Sequence, residues 1–424
     1  MSVKRIDIVD GVQGLYIENK RFNTTLITYN FYLPLNAENM ATNSLLPFLL
    51  TSCSKQFSDY IELNIGLLDL YGADISCSVS KCGDLFHMKI GVNVINNNLA
   101  LYGDSPVSRA AELVSGLIFA PAVSNGSFKA QDIEREKRKT IERIEGEINN
   151  KKSFARTRLF EEMFGTDPYG KFIYGSVQEV KEITGEQLYN AWQELLLTSF
   201  VRIIVVGSEE PTDVFSLAKE YFSSANRNFS SDSLFSIKDI PERDVPNDIT
   251  ERFAVTQGKL ALGFTSAVKG DLKEATALSV FSDIFGGGPY SKLFENVREK
   301  QSLCYYCSAT ARRAKGFLTV QSGVEEENAQ KTVDAILKEL EDMKNGNFED
   351  SVIVASKKAI SDSLYGYYDS ATAIDIWYSR EIDDSISPNQ AADIVMDVTR
   401  EDIINAAKGI KLHTIYRLLP KEEK

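Results

Sequence analysis

The sequence has very little histidine, the residue that most often serves as a general base or a zinc ligand. Its 424 residues contain only two, His87 and His413. A zinc site with two imidazoles on one helical turn needs histidines about four residues apart, so these two cannot form one. No motif surrounds either histidine, which argues against Ser-His-Asp and Cys-His sites. Any enzymatic chemistry must therefore proceed largely without histidine or borrow it from another chain.

Long hydrophobic runs and a paired set of cysteines are also missing. The longest apolar stretches, such as 45–50 and 203–206, fall far short of the roughly 20 residues of a membrane span. Charged residues interrupt the first 19 positions, so no signal peptide is predicted. Five cysteines are few and odd in number, which is typical of a reducing compartment. We therefore expect a cytoplasmic location and no membrane partner.

Acidic residues outnumber basic ones. Lys+Arg number 47 and Asp+Glu number 60, which gives a net charge of −13. Proteins that follow nucleic-acid phosphates normally carry a basic face or stripe, so no nucleic-acid partner is expected. An acidic balance is compatible with attraction of basic peptides, although it more often maintains solubility.

The order of structural patterns repeats along the chain. Each half contains two strand-like alternations, an amphipathic helix, an Asn-Gly-x-Phe turn and a second helix. These patterns lie at 73–79, 85–95, 108–118, 125–128 and 131–150 in the first half and at 304–309, 316–324, 328–343, 345–348 and 349–364 in the second. The repetition predicts an internal duplication.

The duplication predicts an α+β fold of two homologous halves, each an antiparallel sheet with helices packed mainly on one face. Residues 1–225 form the first predicted half and residues 249–424 the second. Between them, residues 226–248 are rich in Ser, Asp and Pro and lack sustained periodicity, which indicates a linker.

A segment of the second half points to a family. Residues 285–305 read Phe-Gly-Gly-Gly-Pro-Tyr-Ser-Lys-Leu-Phe-Glu-Asn-Val-Arg-Glu-Lys-Gln-Ser-Leu-Cys-Tyr. This segment resembles the C-terminal half of the insulinase/pitrilysin-type peptidases (family M16, the inverted zincins). Asp167-Pro168-Tyr169-Gly170 resembles the family's His-Pro-Tyr-Gly segment, with Asp in place of His, and 312–316 fits the loop after the family's Tyr strand. The resemblance implies a LuxS/MPP-like metallohydrolase fold whose two halves form a clamshell.

The family's zinc motif, His-x-x-Glu-His, falls on residues 44–48 of this chain. Ser44 and Phe48 stand at the two histidine positions, Pro47 stands at the glutamate, and the third ligand position falls on or beside Arg143. Serine and phenylalanine cannot replace two imidazole donors, and proline cannot act as a general base. Residues 1–86 contain no histidine, so no shift of the alignment restores the motif. The resemblance thus implies a chain without catalytic zinc or another cofactor, inactive alone.

Arg298 and Tyr305 match the Arg-x6-Tyr pair that the family places opposite its zinc. A guanidinium and a phenol can donate hydrogen bonds to a peptide carbonyl as it becomes an oxyanion. The resemblance also places the loop Gly286-Gly287-Gly288 near the bound peptide. The structural alternatives are that Arg298 pairs with a nearby acid, that Tyr305 packs in a sheet and that the glycines form a flexible turn.

Two further patterns favour structural roles. Cys304 and Cys307 are spaced as a CxxC, but side chains at i and i+3 of a strand point to opposite faces. We therefore expect ordinary sheet cysteines rather than a redox pair. Residues 134–143 mix both signs of charge and are interpreted as a solvated helix face.

The resemblance suggests a non-catalytic, pseudopeptidase subunit of a heterodimeric zinc metallopeptidase. Its partner would carry His-x-x-Glu-His, and the chain would bind peptide. Among such chains it most resembles the group associated with 5-aminopentanol modification of elongation factor P. A scaffold or peptide-binding protein without a catalytic role is the alternative, and an independent metallopeptidase with unusual ligands is a minor one. A homodimer of the isolated chain also stays open.

Overall fold

The computed structural model of the chain describes residues 2–231, 238–268, 271–380 and 386–421. Residues 232–237 of the predicted linker therefore lie outside the described residues. In the described ranges the strands are β1 (Val3–Val9), β2 (Val12–Glu18), β3 (Thr24–Pro34), β4 (Asp74–Cys82), β5 (Leu85–Ile95), β6 (Val123–Ser124), β7 (Ser127–Phe128), β8 (Phe200–Gly207), β9 (Asn247–Phe253), β10 (Gly258–Ser266), β11 (Tyr306–Arg312), β12 (Phe317–Val324) and β13 (Ile410–Pro420). The α-helices are α1 (Met40–Leu50), α2 (Tyr60–Asp69), α3 (Pro106–Phe119), α4 (Ala130–Gly146), α5 (Lys151–Phe164), α6 (Val177–Glu182), α7 (Gly185–Thr198), α8 (Thr212–Ser224), α9 (Leu272–Gly286), α10 (Ala329–Lys344), α11 (Asp350–Gly366), α12 (Ala371–Arg380), α13 (Pro388–Asp397) and α14 (Arg400–Lys408).

The two sheets share one strand order. The first sheet runs β1-β2-β8-β3-β5-β4 and the second, read from its opposite edge, runs β9-β13-β10-β12-β11. The pairs β2–β8 and β9–β13 are parallel, and every other neighbouring pair in these two sheets is antiparallel. The duplicated α+β fold is therefore confirmed, with one parallel pair making each sheet mixed.

Helix starts repeat in the same way. Ser176 and Thr184 cap α6 and α7 through reciprocal side-chain and backbone hydrogen bonds, and Ser387 and Thr399 cap α13 and α14 in the same manner. Such capping boxes satisfy amide groups that a helix otherwise leaves without partners. Each capped helix pair leads into the corresponding central strand, β8 or β13.

The chain divides into two compact units that are not continuous in sequence. The first consists of Met1–Glu145, Ile173–Ser236 and Tyr367–Ser385, and the second of Gly146–Phe172, Ile237–Gly366 and Ile386–Lys424. Each unit thus includes a short segment, carrying α12 or α5, from the other half of the sequence.

In the first unit α12 covers a polar face of the sheet. Along β3, Tyr29 bonds Ser115 of α3, whereas the alternate residue Thr28 donates to the carboxylate of Asp375 on α12. Lys89 of β5 donates to the same carboxylate at 2.9 Å, and the Asp375 side chain is fully buried. Successive strand residues point to opposite faces, so helices cover both faces of β3.

Other bonds join the same face to the backbone of α12. Arg202 of β8, 3% exposed, donates to the Tyr378 carbonyl at 3.0 Å. The Tyr32 hydroxyl donates to the Ser379 carbonyl at 2.5 Å. These bonds fix the position of the helix, which also buries Ile374 and Trp377.

His87 belongs to this buried face. Its ring stacks on Tyr32 at 4.7 Å, and its nitrogens contact Asn30 and Ser80 at 2.9 and 3.0 Å. Burial, reinforced by the charge of Lys89, lowers the pKa of His87 to about 3. The imidazole is therefore neutral and its two nitrogens are both engaged within the core.

In the second unit α5 packs on its sheet mainly through apolar contacts. Ala155 and Leu159 of α5 form a buried cluster with Ala261, Tyr416 and Leu418. The turn after the helix adds an ion pair, because the buried Lys315 ammonium lies 3.2 Å from Asp167. The two inserted segments therefore each carry an aspartate that pairs with a lysine, Lys89 on β5 in the first unit and Lys315 in the turn between β11 and β12 in the second.

We expect replacement of the Asp375 carboxylate to destabilise the first unit strongly. Asp375→Asn leaves the largely buried Lys89 without a counterion, which should lower the free energy of unfolding by about 3 kcal/mol. Urea unfolding followed by circular dichroism measures the effect. Asp375→Asn combined with Lys89→Met should recover part of the loss. Asp393→Asn, on an exposed position of α13, is the matched control. A single variant as stable as this control would contradict the assignment.

Candidate functional site

The first-unit positions of the predicted zinc motif lie on α1. This helix is almost completely buried and continues through Pro47, although proline lacks the N–H group that a helix interior normally uses. Ser44 is buried, and its hydroxyl donates to the Ile173 carbonyl at 2.5 Å. The only donor oxygen among the three motif positions is therefore already committed to the backbone.

Arg143 of α4 lies against Phe48. Its guanidinium carbon is 4.6 Å from the centre of the Phe48 ring and 4.9 Å from that of Tyr174. Both distances are within the range of cation–π attraction. The structure thus brings two of the predicted positions together, with Tyr174 as a further contact that the motif did not reveal.

The surroundings of Arg143 are charged and partly buried. Glu136, 4% exposed, accepts hydrogen bonds from Arg135 and Lys139, each at 2.9 Å. The prediction of a solvated face over 134–143 is therefore wrong for Glu136, whose burial is balanced by two cations. Burial raises the pKa of the nearby Cys77 thiol and of the Tyr174 phenol, so both remain neutral at neutral pH.

These residues do not fit a zinc ion. A hydroxyl bonded to a carbonyl, a phenyl ring and a guanidinium offer no imidazole or carboxylate ligand, and the guanidinium repels a dication. Among the residues that the structure describes, no group of three or more His, Cys, Asp or Glu side chains could hold a metal ion.

Arg298 lies on a π-helix, Leu293–Lys300. Leu293 and Val297 of this helix are buried, so they anchor it to the core. The Arg298 guanidinium lies 4.6 Å from the Phe294 ring centre. Its Nε is 3.4 Å from Glu299, and the side chain is 40% exposed. π-Helices are rare and occur frequently at functional sites.

Tyr305 lies at the surface, immediately before β11. Its backbone N–H donates to the Gly323 carbonyl at 2.9 Å, but its side chain is 56% exposed. The phenol donates to Glu325 at 2.5 Å, and this bond to a carboxylate raises the pKa of Tyr305. Glu325 directly follows β12, so the pairing of β11 with β12 could have identified it.

A tight turn joins the π-helix to Tyr305. Ser302 has φ of +51°, and the Leu303 N–H donates to the Val297 carbonyl at 3.1 Å. The turn places Cys304 within the electrostatic influence of Arg298. Arg298 and Cys304, the residue before Tyr305, are therefore neighbours. The described residues show no bond between Arg298 and Tyr305 themselves.

Close packing explains two of the three glycines. A Cβ on Gly286 would lie 2.5 Å from the Ala309 nitrogen, and one on Gly287 would lie 2.2 Å from a carboxylate oxygen of Asp283. Both positions exclude a side chain because α9 ends directly against β11 and against its own last turn. Gly288 faces the Tyr290 ring. A role for this loop near a substrate stays a prediction.

Known proteins are similar to this chain over its whole length. Residues 182–360 match the family model described as the Peptidase M16 inactive domain. A Bacillus subtilis protein named probable inactive metalloprotease YmfF is 29% identical over 420 residues, covering 96% of each chain. The crystal structure of a conserved protein from Enterococcus faecalis V583 has a TM-score of 0.91 and 28% identity, and covers 100% of this chain and 99% of that one. The peptidase M16 inactive domain from Pseudomonas fluorescens shares the fold, with a TM-score of 0.78, 18% identity and full coverage of both chains.

Residues 182–360 are thus similar to the M16 inactive domain, and nearly the whole chain is similar to a probable inactive metalloprotease. The fold is that of M16-like peptidases, with two similar halves. Across the described ranges, no helix combines the length and apolarity needed to cross a bilayer.

Loss of the Arg143 guanidinium should cost a modest amount of stability. Arg143→Ala removes both ring contacts of an exposed cation, so we expect the free energy of unfolding to fall by about 1 kcal/mol. Arg138→Ala, at an exposed position of the same helix, should change it by less than about 0.5 kcal/mol. If Arg143→Ala and Arg138→Ala lowered the free energy of unfolding equally in a urea titration, the rings would not hold Arg143.

Zinc should neither bind to the purified chain nor stabilise it. An ion at 100 times its dissociation constant raises stability by about 2.7 kcal/mol, so binding would be visible as a higher Tm. We expect an unchanged Tm after zinc addition and far less than one zinc per chain after dialysis. If the purified chain held one equivalent of zinc, and its removal by a chelator lowered the Tm, the conclusion that these residues do not fit a zinc ion would be wrong.

Proposed function

From the similarity to the M16 inactive domain, we propose that this chain is the non-catalytic subunit of a two-chain zinc peptidase. In this proposal a partner of the same family carries His-x-x-Glu-His. This chain binds the peptide and supplies Arg298 and Tyr305 to the partner's reaction. The chain alone hydrolyses nothing, because its own motif positions hold no zinc ligands.

The exposure of two hydrogen-bond donors carries the proposal. The Arg298 side chain is 40% exposed and Tyr305 is 56% exposed, although Val297, directly before Arg298, is buried. A guanidinium and a phenol suit a carbonyl oxygen that gains negative charge during peptide hydrolysis. Two residues that act together on a bound peptide must both be exposed, and these two donors are.

The neighbours of the two donors prepare them for this role. The Phe294 ring lies beside the Arg298 guanidinium and limits its motion, which reduces the entropy lost on binding. The raised pKa of Tyr305 keeps its phenol protonated, so the hydroxyl remains a donor. Glu325 holds this hydroxyl until a peptide carbonyl takes its place.

The finer assignments rest on the resemblance of the sequence. We place the chain in the group associated with 5-aminopentanol modification of elongation factor P, in the cytoplasm and in a heterodimer. The loop Gly286–Gly288 lies near the peptide in this proposal. A scaffold that binds the partner or a peptide without aiding hydrolysis is the competing function, and the experiment below separates the two.

Replacement of either donor should lower the activity of the reconstituted pair. Each of Arg298→Ala and Tyr305→Phe should reduce kcat by about 10²-fold with a smaller change in KM, as expected for loss of an oxyanion donor. Hydrolysis of a fluorogenic peptide by the chain mixed with its His-x-x-Glu-His partner measures both constants.

Matched controls use exposed residues remote in sequence. Arg109→Ala removes an exposed arginine that pairs with Asp104, and Tyr60→Phe alters a tyrosine that is 61% exposed. Both controls should retain full activity. Unchanged activity of both site variants would remove the substrate role, and full activity of the partner alone, despite stable complex formation, would favour the scaffold.

A further inference from the structure

Helix α2 is apolar on two sides, and only one of them is covered. Leu63 and the C-terminal capping residue Leu70 are buried. Ile61, Ile65 and Leu68 are instead 69%, 53% and 72% exposed. Their spacing of four and three residues aligns them along one side of the helix, and we call these three residues the α2 stripe. A helix that is apolar all round is normally buried, so the exposed stripe is typical of a surface that a partner covers.

Exposed apolar residues continue beyond both ends of the α2 stripe. Tyr60, at the start of α2, is 61% exposed, and Leu101 and Tyr102, in the loop before α3, are 61% and 104% exposed. The Leu101 N–H donates to the Tyr71 hydroxyl at 3.1 Å, which holds this loop beside the end of α2. At roughly 150 Å² for a large side chain, these residues and the stripe present on the order of 600 Å² of apolar surface. Patches of this size often mark interaction sites, and each partner of a stable complex contributes about 800 Å².

The charges on α2 itself are all negative. Glu62 and Asp69 are exposed and, being seven residues apart, lie along one edge of the α2 stripe. Asp59 caps the start of the helix by accepting hydrogen bonds from two of its amides. α2 contains no Lys or Arg, and within the described part of the chain none of these three carboxylates is in an ion pair. The apolar surface therefore has a negative edge that no local cation neutralises.

Two cations lie near the ends of the helix but have other partners. The Lys129 ammonium donates to the Ser58 carbonyl at 2.6 Å. The Arg109 guanidinium pairs with Asp104 at 2.7 Å. The carboxylates of Glu62 and Asp69 thus remain available to a binding partner.

This combination of features selects one kind of occupant. A second copy of α2 would bring only carboxylates to the negative edge, and like charges in contact are destabilising. An anionic membrane surface would repel a chain with a net charge of −13. A helix whose apolar side is bordered by Lys or Arg complements both the stripe and its edge, as flanking charges do when they select partners in coiled coils.

We propose that the α2 stripe docks an amphipathic helix of a partner protein, with Lys or Arg beside the apolar side of that helix. Ile61, Ile65 and Leu68 pack against its apolar side chains, and this burial provides most of the affinity. Glu62 and Asp69 accept hydrogen bonds from its cations, which adds specificity. The surface belongs to the first unit and uses no residue of the proposed peptide site, so it does not depend on the proposed function.

The first test titrates the intact chain into two fluorescein-labelled peptides of about 18 residues, or about five helical turns. One peptide has leucine at helical spacing flanked by lysine, and the other has glutamate in place of every lysine. Fluorescence anisotropy should show saturable binding of the lysine peptide and at least about tenfold weaker binding of the glutamate peptide. Equal affinity for the two peptides, or no saturable binding of the lysine peptide, would overturn the proposal.

Two variants separate the α2 stripe from the general negative charge of the chain. Ile65→Asp should weaken binding of the lysine peptide at least about tenfold, although it adds a negative charge. Glu62→Lys combined with Asp69→Lys should reverse the preference, so that the glutamate peptide binds more tightly. These side chains are exposed, so circular dichroism should show an unchanged fold.

Matched controls lie on other helices. Val354→Asp, on α11 at a position that is 67% exposed, changes the net charge as Ile65→Asp does. Asp362→Lys combined with Asp393→Lys, at exposed positions of α11 and α13, changes it as the α2 double variant does. Both controls should bind the peptides as wild type. If they altered binding as much as the α2 variants, the peptide would be responding to net charge and the proposal would be wrong.

The second test examines the two other occupants directly. Light scattering should give the same oligomeric state for the wild-type chain and for Ile65→Asp, and neither should sediment with phosphatidylglycerol vesicles. A dimer that Ile65→Asp dissociates would show that a second copy covers the stripe. Vesicle binding that Ile65→Asp abolishes would show that a membrane does. Either result would contradict the proposal, whereas loss of the peptidase role would leave it standing.

Discussion

The buried carboxylate of Asp375 is the interaction on which the first unit depends. Its sheet presents Thr28 and Lys89 on one face, and these groups are closed to water only because α12 covers them. A buried ammonium without a counterion costs several kcal/mol, so the face and the helix require each other. Asp375 therefore ties a segment from late in the sequence to strands formed at its beginning.

The second unit holds its inserted helix, α5, on the sheet with a different balance of forces. α5 relies on apolar contacts with Ala261 and Leu418, and its polar contribution is concentrated in the pair of Asp167 with Lys315. This explains a departure from the family pattern, since Asp167 stands where the family segment has histidine. In this chain the position carries a structural anchor whose partner lies in the loop 312–316, which also resembles the family.

Local patterns were sufficient to predict the duplication and two strands and two helices in each half. Strand alternation in β4 and β5 and the Asn-Gly turns before α4 and α11 depend on neighbouring residues, so the sequence alone reveals them. The parallel pairs and the positions of α5 and α12 could not be derived in this way, because each depends on residues that are distant in sequence. The turn at Ser302 could not be derived either, since a serine adopts positive φ there.

The positions of the predicted metal site form a packed region without zinc ligands. Arg143 keeps a positive charge beside Phe48 and Tyr174, and its charge is spread over a planar group that aromatic faces attract. A guanidinium has no vacant coordination position and cannot lower the pKa of a bound water, which is the contribution of zinc to peptide hydrolysis. If Ser44, Phe48 and Arg143 stand at the ligand positions, as the resemblance implies, they form a packed, cationic region that cannot activate water. In the proposed function such a chain contributes to hydrolysis through groups that bind the substrate, a role that we assign to the exposed side chains of Arg298 and Tyr305.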